Sequence, residues 1–166
     1  MNKQKILVID LETTGLDPFT DYIVSIAISV EKGKGFNIVL PFYKNKAKAK
    51  EFLQPILPLL EDETITKVFH NAKFDLKFFH QYCIEIKGEV RDTMILDYLL
   101  DPNRKTHGLK GISELHLQYH QISYKEMLKD RDITEVPKDE LTKYACEDAD
   151  LTLQLYHYLT QQLNQN

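Results

Sequence analysis

The chain is 166 residues long, the length of one domain, and its 43% hydrophobic and 28% charged residues exclude a disordered polypeptide and allow a real core. Lys and Arg number 21 against 25 Asp and Glu, a net charge of -4, so bulk electrostatics excludes capture by DNA or an anionic membrane; any nucleic-acid contact must be local or bridged by cations. The apolar runs fall well short of the roughly 20 residues a membrane helix needs, no charged-then-apolar leader opens the chain, and Cys83 and Cys146 lie far apart without a C-x-x-C partner, so a cytoplasmic, monomeric protein with idle thiols is expected.

Taken in chain order, residues 5 to 12, KILVIDLE, predict a central strand with apolar residues on both faces. Gly15 and Pro18 break the chain. Tyr22 to Val30 predicts a second strand, and the Gly33-Lys34-Gly35 turn leads to a third, antiparallel one from Phe36 to Phe42. Ala47 to Leu60 has a helical pattern that Pro55 and Pro58 should split. Val68 to His70 predicts a short strand, Ala72 to Cys83 a helix, Ile84 to Val90 a strand, and Thr93 to Leu100 a helix with Asp92 as its N-cap. A polar, basic connector from Asp101 to Gly108 precedes a helix over Leu109 to His120. Ser123 to Asp132 forms a short helix or loop, and Pro137 opens the longest helix, to about Leu163. Early strands followed by alternating helices and strands give the α/β class, a mixed sheet with helices on both faces, as a single domain over residues 1–166.

Three clusters of carboxylates stand out from this frame. Asp10 and Glu12 are two apart, so they share a face with Ile6 and Val8 at the carboxyl end of the first strand, where open α/β sheets place their sites. A D-x-E pair alone also fits a solvated strand end. In the last helix, Leu141, Tyr144, Ala145, Leu151, Thr152, Leu155, Leu159 and Leu163 fall on one arc with Asp148 at its centre, whereas Glu147 and Asp150 fall with Lys143, Gln154 and His157 on the opposite, watery side. A carboxylate inside an apolar stripe is costly unless paired, hydrogen-bonded or metal-bound, and Tyr144 stands one turn away. A buried Asp-Tyr hydrogen bond is the plainer alternative. The third cluster, His70-Asn71-Ala72-Lys73-Phe74-Asp75, joins a strand end to a helix; its plainer alternative is an Asn71 N-cap with Asp75 favouring the helix dipole. His116 and His120 are four apart, but Leu117 follows His116 where an H-E-x-x-H zinc site requires Glu, so the pair is read as structural.

Together, DLETTGLD (10 to 17), HNAKFDLKFF (70 to 79) and YACEDADLTLQLY (144 to 156) resemble the three exonuclease motifs of the DEDD superfamily, in order and approximate spacing. The Y-x-x-x-D form of the third is similar to the DEDDy branch. VRDTMILDYLLDP and the HGLKGISEL that follows resemble the proofreading domain of bacterial family A DNA polymerases, and the likeness runs from about Lys5 to about Leu159. The resemblance implies an RNase H-like fold with a mixed five-stranded sheet flanked by helices. It implies a 3′-to-5′ exonuclease that hydrolyses DNA, single-stranded or frayed at its 3′ end, to nucleoside 5′-monophosphates with two divalent ions, Mg²⁺ or Mn²⁺. Asp10, Glu12, Asp75 and Asp148 would hold the ions, Asp10 bridging them, and Tyr144 would orient the attacking water. Physics asks for the cations as well, because carboxylates about 4 Å apart repel by about 4 kcal/mol per pair at an effective dielectric near 20, so some must be protonated or neutralised.

Substrate contacts carry over to Thr13 at the terminal sugar, Leu16 as a wedge between the last two bases, Asn71 and Lys73 along the strand, and Tyr124 as a stacking aromatic. The Arg104-Lys105-His107 cluster is a further phosphate candidate, although the basic position of that connector is Thr106 here. The implied partners are a single-stranded DNA 3′ end and a polymerase domain in cis or trans. Two rivals accompany this reading: ribonuclease D-like trimming of RNA, and a catalytically silent strand-binding module of a polymerase. The presence of all four acids and the tyrosine argues against the second.

Overall fold

Alternation along Lys5–Thr13 sends Leu7, Ile9 and Leu11 to one face of a sheet and Ile6, Val8, Asp10 and Glu12 to the other, and the computed structural model, which describes residues 5–165, builds its two cores on those faces. The strands are β1 (Lys5–Thr13), β2 (Ile23–Glu31), β3 (Lys34–Val39), β4 (Ile65–Phe69) and β5 (Val90–Asp92), in the order β3-β2-β1-β4-β5. β1 is central. It pairs antiparallel with β2 and parallel with β4, which makes the sheet mixed, as expected from the sequence. The helices are α1 (Lys46–Phe52), α2 (Leu57–Glu61), α3 (Ala72–Gln81), α4 (Thr93–Leu100), α5 (Leu109–Leu117), α6 (Tyr124–Leu128) and α7 (Lys138–Leu163). The ends of the expected 1–166 domain lie outside the described residues.

One face of the sheet packs Leu7, Ile9, Ile26 and Phe69 against Leu53, Leu60, Phe78 and Phe79 from α1, α2 and α3 and their flanks. The other packs Val8, Ala27 and Val68 against Ala145, Ala149 and Leu153 of α7. Leu155 and Leu159 turn instead toward Ile112 of α5, so α7 is buried on two sides rather than along a single arc. β3 comes close to this helix at Gly35, where a Cβ would lie 2.7 Å from that of Cys146. No helix among the described residues is long and apolar enough to cross a membrane.

Two expectations need correction. Residues 84–89 are not strand: the amide of Ile84 donates to Phe79 O and that of Lys87 to Leu60 O, and Gly88, at φ +82°, turns the chain so tightly beside Glu63 that β5 has only three residues. Glu147 and Asp150 are half-buried rather than simply solvated, because Glu147 accepts from the Tyr119 hydroxyl (2.5 Å) and Asp150 from the amide of Gly33 (2.7 Å). Cys83 and Cys146 are free thiols, as expected, but Cys83 is exposed.

Candidate active site

β1 outruns its neighbour. Its parallel pairing with β4 stops at Val8 and Val68, whereas its antiparallel pairing with β2 continues to Thr13, with a register shift after Glu12. Residues 10 to 13 therefore extend past β4 at the carboxyl edge of the sheet, where α3 begins and where α/β folds leave room for a ligand. Asp10 and Glu12 lie on the face that meets α7, and Asp148 comes from that helix. Their carboxylate oxygens, one from each, lie within 4.8 Å of one another.

Asp75 stands outside this triad but inside its field. It is buried in the first turn of α3 and its carboxylate accepts from the backbone near Leu11. Burial first, then the charges of Asp148, Glu12 and Asp75, holds the Asp10 carboxyl well above the usual range; burial, Asp148 and Asp75 do the same to Glu12. Asp75 is raised mainly by burial. Burial, with help from Glu147, pushes Asp148 up to about 7, against hydrogen bonds from Gln121 and Tyr144. An oxygen-only cluster of acids, with no cation among the dominant influences on Asp10 or Glu12, is a donor set that can hold a hard divalent ion, which would also relieve the repulsion between them.

Tyr144 lies one turn before Asp148 on α7, half-buried, and burial followed by the charges of Asp148, Glu12 and Asp10 moves its phenol above its ordinary range. It keeps its proton at neutral pH and acts as a hydrogen-bond donor. Tyr124, at the start of α6, sets its ring 6.2 Å from that of Tyr144 at a steep angle and remains 41% exposed. Its hydroxyl is pushed up to about 12 by burial and by Glu12, which places Tyr124 in the acids' field.

Thr13 is buried and its hydroxyl donates to the Gly15 carbonyl (2.7 Å), so this side chain can only accept from a ligand. Leu16 projects from the loop after β1 and is 84% exposed. Asn71 occupies the N-cap position of α3 but in a left-handed conformation (φ 68°), and its side chain makes no capping bond. The cap comes from Asp92, which accepts from the amides of Asn71 (3.0 Å), Ala72 (2.8 Å) and Met94 (2.9 Å) and so joins the starts of α3 and α4. Lys73 is exposed on α3. Arg104 and His107 are not available to phosphates: both hold the fully buried Asp97, at 3.1 Å and 2.6 Å, together with His116 at 2.7 Å. His120 is exposed and takes no part in that cluster, so the two histidines do not form one site.

Gln121 escaped the sequence reading. It is buried in the connector between α5 and α6, and its side-chain amide donates to Asp148. The same connector supplies Tyr119 to Glu147 and leads directly to Tyr124 against Tyr144. Nothing in a polar connector marks one glutamine as the partner of an acid on another helix, and no local signal could have found it.

The family model described as 3′-5′ exonuclease matches residues 1–164. The DNA polymerase I of Treponema pallidum is 34% identical over 119 residues, covering 70% of this chain and 12% of the relative. That of Borreliella burgdorferi is 29% identical over 172 residues, covering 100% of this chain and 18% of the relative. The chain thus spans less than a fifth of the length of these two relatives. Among solved structures, Brucella melitensis NrnC matches with a TM-score of 0.80 at 28% identity, covering 97% of this chain and 74% of that one. Escherichia coli RNase D matches with a TM-score of 0.77 at 17% identity, covering 97% and 40%, a likeness of fold alone.

Proposed function

The chain belongs to the 3′-5′ exonuclease family of the family A DNA polymerases, and from that premise we propose that it removes nucleotides from single-stranded or frayed 3′ ends of DNA as nucleoside 5′-monophosphates, a proofreading reaction. The observation that carries the proposal is the convergence of Asp10, Glu12 and Asp148 within 4.8 Å at the sheet's carboxyl edge. Asp75 and Tyr144 border that triad. Asp10, Glu12, Asp75 and Asp148 would hold two Mg²⁺ or Mn²⁺ ions, which when bound acidify the attacking water and neutralise the oxyanions of the phosphodiester. Tyr144 orients the water by hydrogen bonding, since its protonated phenol is a poor base. Gln121 engages one oxygen of Asp148 and thereby sets the direction of the other. Leu16 and Tyr124 pack the terminal bases, the backbone and hydroxyl of Thr13 meet the last sugar, and Asn71 and Lys73 meet the strand beside it. The proposed partners are a DNA 3′ end and, in cis or trans, a polymerase domain of the kind the relatives' names describe; the protein acts as a cytoplasmic monomer.

A second reading, removal of RNA 3′ ends, is favoured by one observation: Brucella melitensis NrnC bound to pGG matches at a TM-score of 0.79 and 28% identity. The two are separated by time courses on DNA and RNA strands of identical sequence, beside a 3′-mismatched DNA duplex, with and without Mn²⁺. DNA hydrolysed faster than RNA, with the mismatched end preferred over a paired one, is the expected result. RNA turned over at an equal or greater rate establishes the second reading. No metal-stimulated product from any substrate leaves only the silent module.

A further inference from the structure

The loop after β1 is firmly built, yet it presents two large apolar side chains to water. Asp21 closes it, with one carboxylate oxygen accepting from the Thr14 hydroxyl (3.0 Å) and the other from the Asp17 amide (2.9 Å). Asp17 in turn accepts from the Phe19 amide (2.9 Å), and Thr14 accepts from that of Tyr22 (3.0 Å). A Cβ on Gly15 would lie 2.4 Å from Asp21 Oδ2, so only glycine lets this latch shut. The result is Leu16 at 84% and Phe19 at 76% exposure on one wall of a groove of about 960 Å³. Leu76 of α3 and Ile95 and Leu99 of α4 line the same groove, the last two exposed and one turn apart.

Charge on the groove is arranged differently from that of the whole chain. Of its acids, Asp92 is engaged by three backbone amides and Asp17 by the loop. Arg91 pairs with Glu89. Lys73 and Lys77, exposed and one turn apart on α3, make no ion pair among the described residues. In a protein of net charge -4, two unengaged cations beside an apolar surface suit an extended polyanion with flat apolar faces. None of the four acids lines the groove, but the same two segments carry both: Leu16 belongs to the loop that β1 feeds beyond Asp10 and Glu12, and α3 carries Asp75 on its buried face and Lys73, Leu76 and Lys77 on the groove side.

We propose that this groove is a second strand-holding site, which takes the internal nucleotides of a single strand whose 3′ end lies at the acids. Bases pack on Phe19 and the aliphatic floor, and phosphates meet Lys73 and Lys77, which stand about 5–6 Å apart at their Cβ atoms as i,i+4 neighbours. The inference rests on the nuclease reading above and extends it beyond the terminal nucleotides, making affinity depend on strand length.

The test is fluorescence anisotropy with labelled DNA of two, four and eight nucleotides, with Ca²⁺ in place of Mn²⁺ so that the strand persists. The parent's Kd is expected to fall at least about tenfold from two to eight nucleotides, and Phe19→Ala combined with Lys77→Ala to erase most of that difference, while Phe19→Tyr retains it. Lys77→Ala alone should flatten the salt dependence of eight-nucleotide binding by about 0.7 in the log-log slope, the loss of one phosphate contact. A parent whose Kd does not change with length, or a double variant that keeps the parent's length dependence, overturns the proposal. So does a parent that self-associates in sedimentation, loses this with Phe19→Ala and binds strands unchanged, which would assign the groove to a second copy of the chain. Because binding is read without turnover, a chain that cleaves neither DNA nor RNA defeats the nuclease reading alone, and the groove is still judged by these affinities.

Discussion

At Asp148, burial and the charge of Glu147 are opposed by hydrogen bonds from Gln121 and Tyr144, and the acid settles at about 7. The acid and the phenol therefore differ in what they contribute: Asp148 can carry charge to a ligand, whereas Tyr144 keeps its proton. With Mn²⁺ saturating, single-turnover rates should fall by more than about a thousandfold in Asp148→Asn and by about ten- to a hundredfold in Tyr144→Phe. Equal losses would give the phenol a larger role than positioning. His70, beside the site, is lowered to about 4 by burial, and its Nδ1 donates to the Thr93 hydroxyl (2.8 Å), which itself donates to the Phe69 carbonyl. Its folded value lies below the ordinary 6.5, so the unfolded chain takes the proton first. Stability that is fully present above about pH 6.5 is then lost as pH falls toward 4, on the order of 3 kcal/mol. The raised acids act in the opposite sense, since protonation relieves their repulsion. The check is therefore the difference between urea midpoints of the parent and His70→Gln from pH 7 to 4.5, where the parent should lose more. Parallel curves would refute the assignment.

Between elements, a buried polar tie centres on Asp97, at 0% exposure on α4, which holds Arg104 and His107 of the connector and His116 of α5. Burial pushes this carboxyl up, but the hydrogen bonds from His116 and His107 and the charge of Arg104 outweigh it and leave it below the usual range. Asp97→Ala would strand those donors in the interior and should cost about 3–5 kcal/mol in urea unfolding, far more than removal of a surface ion pair. A loss below about 1 kcal/mol would show that the cluster is solvent-screened. Lys67, fully buried in β4, belongs to the same class of feature: its ammonium donates to the carbonyls of Asp62 and Lys87 and fastens the turn before β4 to the irregular segment before β5. Apolar Ile84 and Ile86 mimic a strand in sequence, but the backbone there bonds to helix ends, and periodicity alone does not distinguish the two.

Across the whole molecule, the acids are held together by packing on both faces of β1, so a cation that neutralises them should stabilise the fold. Adding Mn²⁺ should raise the Tm by mass action, by about 2.7 kcal/mol of stability at a hundredfold excess over its Kd, and Asp10→Asn should reduce the rise. A Tm that is flat across Mn²⁺ concentrations would count against the cluster as a cation site. The sequence by itself determined the central β1, the antiparallel β2-β3 hairpin, the proline split between α1 and α2, the capped α4 and the long α7, because alternation, turn residues and capping act within a few positions. The resemblance of three motifs to a known family, and not periodicity, marked Asp10, Glu12, Asp75, Tyr144 and Asp148 as one set. Only the tertiary structure decided that Asp75 stands apart from the 4.8 Å triad, that Gln121 holds Asp148, that Arg104 and His107 serve Asp97, and that Phe19 and Lys77 face one groove. Each of these depends on which groups from distant segments meet in space, and the energy of such meetings leaves no periodic mark along the chain.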